Sequence, residues 1–327
     1  MATGKQSDFV LYHEQFYGGQ IEVMAQNTVG FNAASAGALT LVAKALKGEY
    51  EKESFLQYIS NVITRRDLTS VADVADLAMT MEELISVKVN RKIGPVGQTL
   101  NSWRKIGKDS KEMSLKLGRL IAVEKLGDYL NTLIKCVEAA LEGQTALNYD
   151  ATGQTTKTLT HTHLVSGLNL MGDRSSRIVC WVMHSKPWHD LMKQSIADKI
   201  TNVADAVIYK GTPATLNRPT VVTDAPALTD ANGSATDTYN ILGLVRGAAG
   251  VVESEAEDIE FQVVTGKEQL IGRLQGEYAF NVGVKGFQWD VTNGAGNPTD
   301  ATLATTTNWD KVANDNKDLA GVRIKTQ

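Results

Sequence analysis

Apolar residues recur at helical spacing over one long stretch, residues 109–143, around which the rest of the chain is organised. Met113, Leu117, Leu120, Ile121, Leu126, Leu130, Leu133, Val137 and Leu141 form one wide stripe. Asp109 can cap the helix N-terminus, and Glu112 three residues on can close a capping box. Gly143 stands where a C′ glycine would end it. At ~1.5 Å per residue the helix is a rod of about 50 Å, longer than a compact enzyme needs.

Upstream the pattern is more mixed. Residues 1–19 are polar and aromatic and read as an extended arm. An Ala-rich segment from Ile21 to Lys47 reads as helical in at least its second half, and 51–64 as an amphipathic helix with Phe55, Leu56, Ile59 and Ile63 on one face. One or two short helices are expected within 67–84. Residues 85–108 alternate around Val87 and Val89, break at Gly94-Pro95-Val96-Gly97, and resume at Gln98, which predicts a long β-hairpin or extended loop.

Downstream, 144–160 is a polar linker and 161–172 a short helix. Arg177–Met183 is a continuous apolar strand that runs into a helix, with Ser185 as N-cap and Pro187 in the first turn. Strands are expected at Ala206–Tyr209, Thr220–Thr223, Tyr239–Val252, Ile259–Val264 and Arg273–Trp289. The tail after Thr292 is rich in Thr, Asn, Asp, Ala and Gly and should lack a core of its own. Within it, only Val322–Lys325 could add a strand, and only at a sheet edge.

Composition narrows the function classes. The 327 residues carry a net charge of −4, with a sequence pI near 5.8, so there is no bulk attraction to nucleic acid or anionic membrane. No apolar run is long enough to span a membrane. The opening MATGKQSDFVLYHEQ has no apolar signal core, so a cytosolic origin is expected. Cys136 and Cys180 both sit in apolar elements and read as buried small hydrophobes.

Catalytic signatures are missing. The chain has no phosphate-binding P-loop and no strand-linked G-x-G-x-x-G. Ser35 lacks the first glycine of a nucleophile elbow and lies in a helical segment. His161 and His163 have no carboxylate or thiol at ligand spacing and read as a solvated loop pair. His184 and His189 flank the strand-to-helix turn and read as structural hydrogen-bonding groups; Asp224 reads as a turn former. No metal, cofactor or catalysis is therefore expected. One rival reading stays open, a cytosolic α/β enzyme with its site at the 177–191 junction.

Two charge clusters stand out. Residues 85–108 carry Lys88, Arg91, Lys92, Arg104, Lys105 and Lys108 and no acid. Residues 253–260 carry Glu253, Glu255, Glu257, Asp258 and Glu260 and no base. Together they suggest complementary contacts across a subunit boundary. The second rival is a nucleic-acid-binding module in which the basic cluster meets phosphates and Trp103 stacks on a base.

Several stretches, in this order, carry a resemblance: FNAASAGALTLV (31–42), ITRRDLTS (63–70), VKVNRKIGPVGQT (87–99), WVMHSKPWHDL (181–191), and VVTDAPAL (221–228) followed by YNILGLVRGAAGVV (239–252). On them the chain resembles the major capsid proteins of tailed bacteriophages with the HK97-type fold, and among these the proteins of the Bordetella short-tailed phage and its relatives. The resemblance implies an α+β fold and the layout that follows. Residues 1–19 are the N-terminal arm, 85–108 the extended loop, and 109–143 the spine helix of a peripheral domain. Residues 144–255 are an axial domain, 256–291 return to the peripheral sheet, and 292–327 are a C-terminal tail. The segment 20–84 is more than an arm needs, which leaves a rearranged strand order open. The implied function is self-assembly into an icosahedral shell around double-stranded DNA, with termini joining sheet edges of neighbours. The implied partners are further copies in hexamers and pentamers, a decoration or cement protein, portal and scaffolding proteins, and packaged DNA on the inner face. No membrane is involved. The implied location is the virion, and the host cytoplasm during assembly.

Overall fold

A computed structural model describes residues 13–43, 50–56, 81–106, 110–201, 215–230 and 237–327, together with 63, 65, 66, 68, 69, 73 and 74. In chain order the elements are α1 (His13–Ala34), β1 (Leu39–Ala43), β2 (Tyr50–Leu56), β3 (Met81–Thr99), α2 (Leu100–Ile106), α3 (Ser110–Glu142), β4 (Asn148–Asp150), α4 (His161–Asn169), β5 (Ile178–Met183) and α5 (Ser185–Thr201). There follow β6 (Thr220–Val222), β7 (Thr229–Asp230), β8 (Thr238–Val245), β9 (Ala249–Val264), β10 (Ile271–Val284), β11 (Phe287–Trp289), α6 (Val291–Gly294), α7 (Asp300–Leu303), β12 (Trp309–Lys311) and β13 (Gly321–Thr326).

The long helix is present as α3, 33 residues of mostly strong helix formers with a Glu112–Lys116 pair at 2.7 Å on its first turns. Asp109, the expected cap, lies outside the described residues. Gly143 does not take the left-handed conformation expected of it. The last turn is instead closed by the Asn148 side-chain amide, which donates to the Glu142 carbonyl at 2.8 Å. The stripe is buried at Met113, Leu117, Ile121, Tyr129 and Leu133, whereas Leu120, expected in it, is 64 % exposed.

Two sheets share this helix. One has the order β1-β9-β10-β3-β2; the other has the order β4-β13-β8-β5-β6, with β7 beside β8. A single apolar cluster joins them through the C-terminal half of α3. It holds Val87, Phe280 and Val282 from the first sheet, Trp181, Leu242 and Ile324 from the second, and Leu133, Val137 and Leu141 from the helix. The C-terminal half of α3 is therefore covered on nearly every side.

Several local expectations are corrected. His13–Gly19 are helical and part of α1, not an extended arm; residues 1–12 lie outside the described residues. The helix expected to run toward Lys47 gives way to strand β1 over Leu39–Ala43, and 44–47 lie outside the described residues. A turn with positive φ at Ala36 (51°) and Gly37 (71°) ends α1, and β1 then pairs in parallel with β9. The helix expected at 51–64 begins as strand β2, because Tyr50–Leu56 pair antiparallel with β3; here pairing partners override an amphipathic pattern. Helices expected within 67–84 give way at Met81 to β3, and most of 67–80 lies outside the described residues.

The hairpin expected over 85–108 is one strand followed by a helix. β3 runs through Gly94-Pro95 without turning, by a bulge opposite Leu274–Gly276, with Gly94 at φ 75°. Proline is tolerated because β2 covers only Met81–Val87, so β3 has an edge at Pro95. The strand expected over Tyr239–Val252 is split by a turn at Arg246–Gly247 into β8 and β9, and the 255 boundary falls inside β9. The expected strand at 206–209 lies outside the described residues.

The tail is the largest correction. β13 is not an edge strand: it pairs with β4 on one side and β8 on the other. Leu303, Trp309, Leu319, Val322 and Ile324 are buried in the common core. Only a few apolar residues were needed, because each enters a core that other segments had already built.

β13 also carries a buried charge to α3. Arg323 reaches Glu138 at 2.8 Å and Glu142 at 3.2 Å, and Lys325 reaches Asp230 at 2.9 Å. Three carboxylates thus share two cations, and Asn240 donates to Glu138 at 3.2 Å. Burial, reinforced by Glu142 and Asp230 and only partly offset by Arg323, pushes the Glu138 carboxyl up to about 7.

The N-terminal half of α3 is held by α1. Phe16 is fully buried in a second cluster with Met113, Leu117, Ile121, Ile259 and Leu274. The helices cross where Gly19 faces Leu115 and Gly118 faces Phe16. A Cβ on Gly118 would stand 2.2 Å from the Phe16 carbonyl oxygen. Arg119 and Glu22 pair at 2.8 Å across the same seam.

Two predictions follow from these contacts. Gly118→Ala must push α1 off the spine and should destabilise the subunit by about 1–3 kcal/mol in denaturant unfolding, whereas Gly127→Ala, with open space around it, should not. The folded state keeps a proton on Glu138 that the unfolded chain releases above its ordinary value of 4.5, so this group's contribution falls as pH rises from about 4.5 to about 7. Unfolding curves at pH 5 and 7.5 should show wild type losing stability relative to Glu138→Gln over that interval; parallel curves would contradict it.

Candidate assembly interface

β9 and β10 form a long antiparallel hairpin, and β3 lies along β10, which gives a three-stranded ribbon. Period-2 alternation sorts its side chains. Tyr278, Phe280 and Val282 on β10 and Val87 and Val89 on β3 face α3, while Gln275, Glu277 and Lys92 face away.

A ladder of polar groups at helical spacing on α3 meets the inner face. Lys125, 5 % exposed, pairs with Glu253 at 2.5 Å and Glu257 at 3.3 Å. Its ammonium also lies 4.9 Å from the Tyr278 ring centroid. One turn on, Asp128 accepts from the Tyr278 hydroxyl at 2.8 Å and from Arg91 Nε at 3.1 Å. Tyr129 donates to Glu253 at 3.4 Å, and Thr132 accepts from Arg91 at 3.2 Å. Arg91 continues to Asp300 on α7 at 2.7 Å, where Lys135 also pairs at 3.4 Å. Burial, with the neighbouring carboxylates, pushes the Tyr129 and Tyr278 phenols far above their ordinary values, so both hydroxyls are fixed as donors. α1 joins the network through Tyr17, which donates to the Glu257 carbonyl at 3.4 Å, and through Gln20, which donates to the Glu257 carboxylate.

The charge clusters expected to meet across a subunit boundary are therefore largely neutralised within one subunit. Lys88 pairs with Glu255 on the outer face of the ribbon. Arg91, Glu253 and Glu257 point inward to α3 and α7. Among the described residues, Lys92, Lys105, Asp258 and Glu260 are exposed and make no ion pair. The Arg104 side chain and all of Lys108 lie outside the described residues. Lys125 and Asp128 were not singled out from the sequence. The signal was there: Lys125 continues the stripe Met113, Leu117, Ile121 at four-residue spacing, and a lysine on an apolar stripe needs buried partners.

Other candidate chemistry resolves into structure. His184 Nδ1 accepts from Lys186 N at 3.2 Å, and Asp224 accepts from Ser185 N at 3.2 Å. Both groups cap α5, so Ser185 is the first helical residue and not the cap. His184 Nδ1 also lies 3.4 Å from Ser185 Oγ. His161 and His163 lie in helix α4, not in a loop, and His163 is buried against the Tyr149 ring, which holds its imidazole below the ordinary value. Both cysteines are buried free thiols, and burial pushes Cys180 up to about 11. Among the described residues no cluster of His, Cys, Asp or Glu could hold a metal ion.

The edge of β1 is closed. The Asn32 side chain accepts from Leu41 N at 3.2 Å and donates to Leu41 O at 3.4 Å, and Ser35 Oγ donates to Leu39 O at 3.1 Å. Side chains of α1 and its following turn thus replace a neighbouring strand and protect this edge from strand addition.

The Lys125 seam is directly testable. Lys125→Met leaves two inward carboxylates without their cation and should cost about 3–5 kcal/mol in chemical unfolding. Lys92→Met, on the outer face, should change stability by less than about 0.5 kcal/mol. Equal effects would contradict the assignment.

Comparison with known proteins now identifies the fold. The profile of the Gp13-like family, described as major capsid protein 13-like, matches residues 8–323. No curated protein matches the sequence. The backbone is similar to that in the cyanophage Pam1 capsid asymmetric unit, with a TM-score of 0.50 and 12% identity over 87% of this chain and 88% of that chain. Weaker similarity extends to the capsid of Ralstonia phage GP4, with a TM-score of 0.47 and 13% identity over 88% of this chain and 87% of that chain. The α+β, HK97-like fold expected from the sequence is the one observed. The chain belongs to the major capsid protein 13-like family of phage shell subunits.

Proposed function

We propose that many copies of this chain form an icosahedral shell that encloses double-stranded DNA. The observation that carries this reading is the capsid-family match over residues 8–323. The role is structural, not catalytic, in keeping with the family and with the capping duties of His184 and Asp224. α3 with the β1-β9-β10-β3-β2 sheet serves as the peripheral domain, and the second sheet, including β13, as the axial domain. The stretch around 85–108 contributes to extended contacts with neighbours, and many modest interfaces act together by multivalency. Copies group as hexamers and pentamers, with portal, scaffolding and, where present, cement proteins as further partners. The shell is part of the virion, assembles in host cytoplasm, and faces DNA on its inner side. The kinship with the Bordetella short-tailed phage group rests on the sequence stretches named above.

For subunit contacts, the charges left exposed outweigh those already paired. Among the described residues of the basic stretch, Lys92 and Lys105 are exposed and available to acids such as Asp258 and Glu260 of a neighbour. Reversing Lys88 or Arg91 would disturb the subunit itself and says little about assembly.

Electron microscopy of the purified protein should show closed shells of uniform diameter; a monomer under every assembly condition would contradict the reading. Lys92→Glu combined with Lys105→Glu should reduce shell yield at least tenfold while the subunit melts at the wild-type temperature. Normal yield would exclude these lysines from the contacts.

A further inference from the structure

The first sheet carries a shallow groove on its outer face and, on the face toward α3, a pocket of about 290 Å³. The pocket follows from how α1 is moored. Near its start Phe16 shares a cluster with Leu117 and Ile121 of α3, and at its end Asn32 and Ser35 bond to β1. Between these two points α1 offers Ala25, Thr28 and Val29 to β1 and β9, side chains too short to close the gap. Met24, Leu41 and Val251 complete the apolar walls, and Val29, 71 % exposed, stands at the mouth.

One carboxylate, Glu253, lines this mostly apolar space. Its Oε1 accepts from both the Lys125 ammonium at 2.5 Å and the Tyr129 hydroxyl at 3.4 Å. Among the described residues, nothing bonds its Oε2. Thr28 brings a hydroxyl and Tyr129 an aromatic ring to the same space. The local charge is unbalanced as well. Among the described residues, Lys125 is the one cation paired with Glu253 and Glu257. The nearby Arg119 and Arg91 guanidiniums are taken up by Glu22, Asp128 and Asp300. An apolar slot with one half-used carboxylate and an excess negative charge suits a compact cation that carries a hydrocarbon chain.

We propose that this pocket binds a small primary aliphatic amine, with its ammonium on Glu253 and its carbon chain between α1 and β1. An ammonium has three donors. One goes to Glu253 Oε2, one to the Thr28 hydroxyl, and one stays toward water at the mouth. The Tyr129 ring adds cation–π attraction. The alkyl chain covers Met24, Leu41 and Val251 from water. A carboxylate guest would meet Glu253 with like charge, and a neutral guest would leave the excess charge in place. The bound amine ties α1 to the sheet over the stretch where the two stand apart, and so strengthens the helix whose end closes the β1 edge. The site lies within one chain, and the inference stands apart from the shell reading.

Isothermal titration calorimetry of the purified full chain with n-pentylammonium chloride near neutral pH tests this. One amine should bind per chain with a dissociation constant of about 1 mM or tighter, and the melting temperature should rise with amine concentration. n-Pentanol has the same chain without the charge and should bind roughly tenfold more weakly. Pentanoate should give no saturable heat. Ala25→Phe fills the pocket from an exposed position and should abolish amine binding while leaving the melting temperature without amine unchanged. Should that chain fail to fold, Val29→Trp at the mouth makes the same test. Equal affinity for pentanol and the amine overturns the proposal, because the pocket is then only apolar. So does amine binding that survives both substitutions, or the absence of saturable amine binding up to about 50 mM.

Discussion

The ammonium of Lys125, buried between Glu253 and Glu257 and against the Tyr278 ring, is the contact on which the subunit turns. It stands midway along α3, where the helix passes from being covered by α1 to being covered by both sheets. A buried charge tolerates little change in geometry, because any displacement leaves it or its carboxylates uncompensated. Lys125 therefore sets the register of the β9–β10 hairpin against the helix. The partly buried Asp128–Arg91–Asp300 group continues the pairing further along. Apolar packing supplies adhesion between helix and sheets; the charges decide which residue lies opposite which.

That arrangement has a consequence for assembly. A shell subunit must stay soluble alone and still bind its copies on several sides. Here the strongest charges are neutralised internally, the β1 edge is closed by Asn32 and Ser35, and what faces outward is dispersed: single lysines and acids, and a shallow groove. Each such contact is weak on its own, and a closed shell gains its stability from their number.

The long helix and the β5–α5 junction were legible in the sequence because each depends on local spacing. The fold class was legible through the ordered stretches from Phe31 to Val252. What was not legible depended on partners distant in the chain. Residues 51–64 have the apolar spacing of a helix, but Tyr50–Leu56 pairs with Met81–Val87. Gly94-Pro95 looks like a turn but sits in a bulge on an open strand edge. Val322 and Ile324 lie in a polar tail, yet β8 and β4 flank them as a ready-made slot. The acidic run at 253–260 looked like one surface, but the register shifts of β9 opposite Glu277–Phe280, added to strand alternation, send Glu253 and Glu257 inward and leave Glu255, Asp258 and Glu260 outside.

The central claim is that one helix fixes the charge pairing inside each subunit and leaves only the remainder for neighbours. A cryo-electron microscopy map of the assembled shell at side-chain resolution tests it most directly. The account predicts that Lys125 with Glu253 and Glu257, and Lys88 with Glu255, pair within the same chain in every copy. Glu253 or Glu255 paired instead with a lysine or arginine of a neighbouring chain would contradict it.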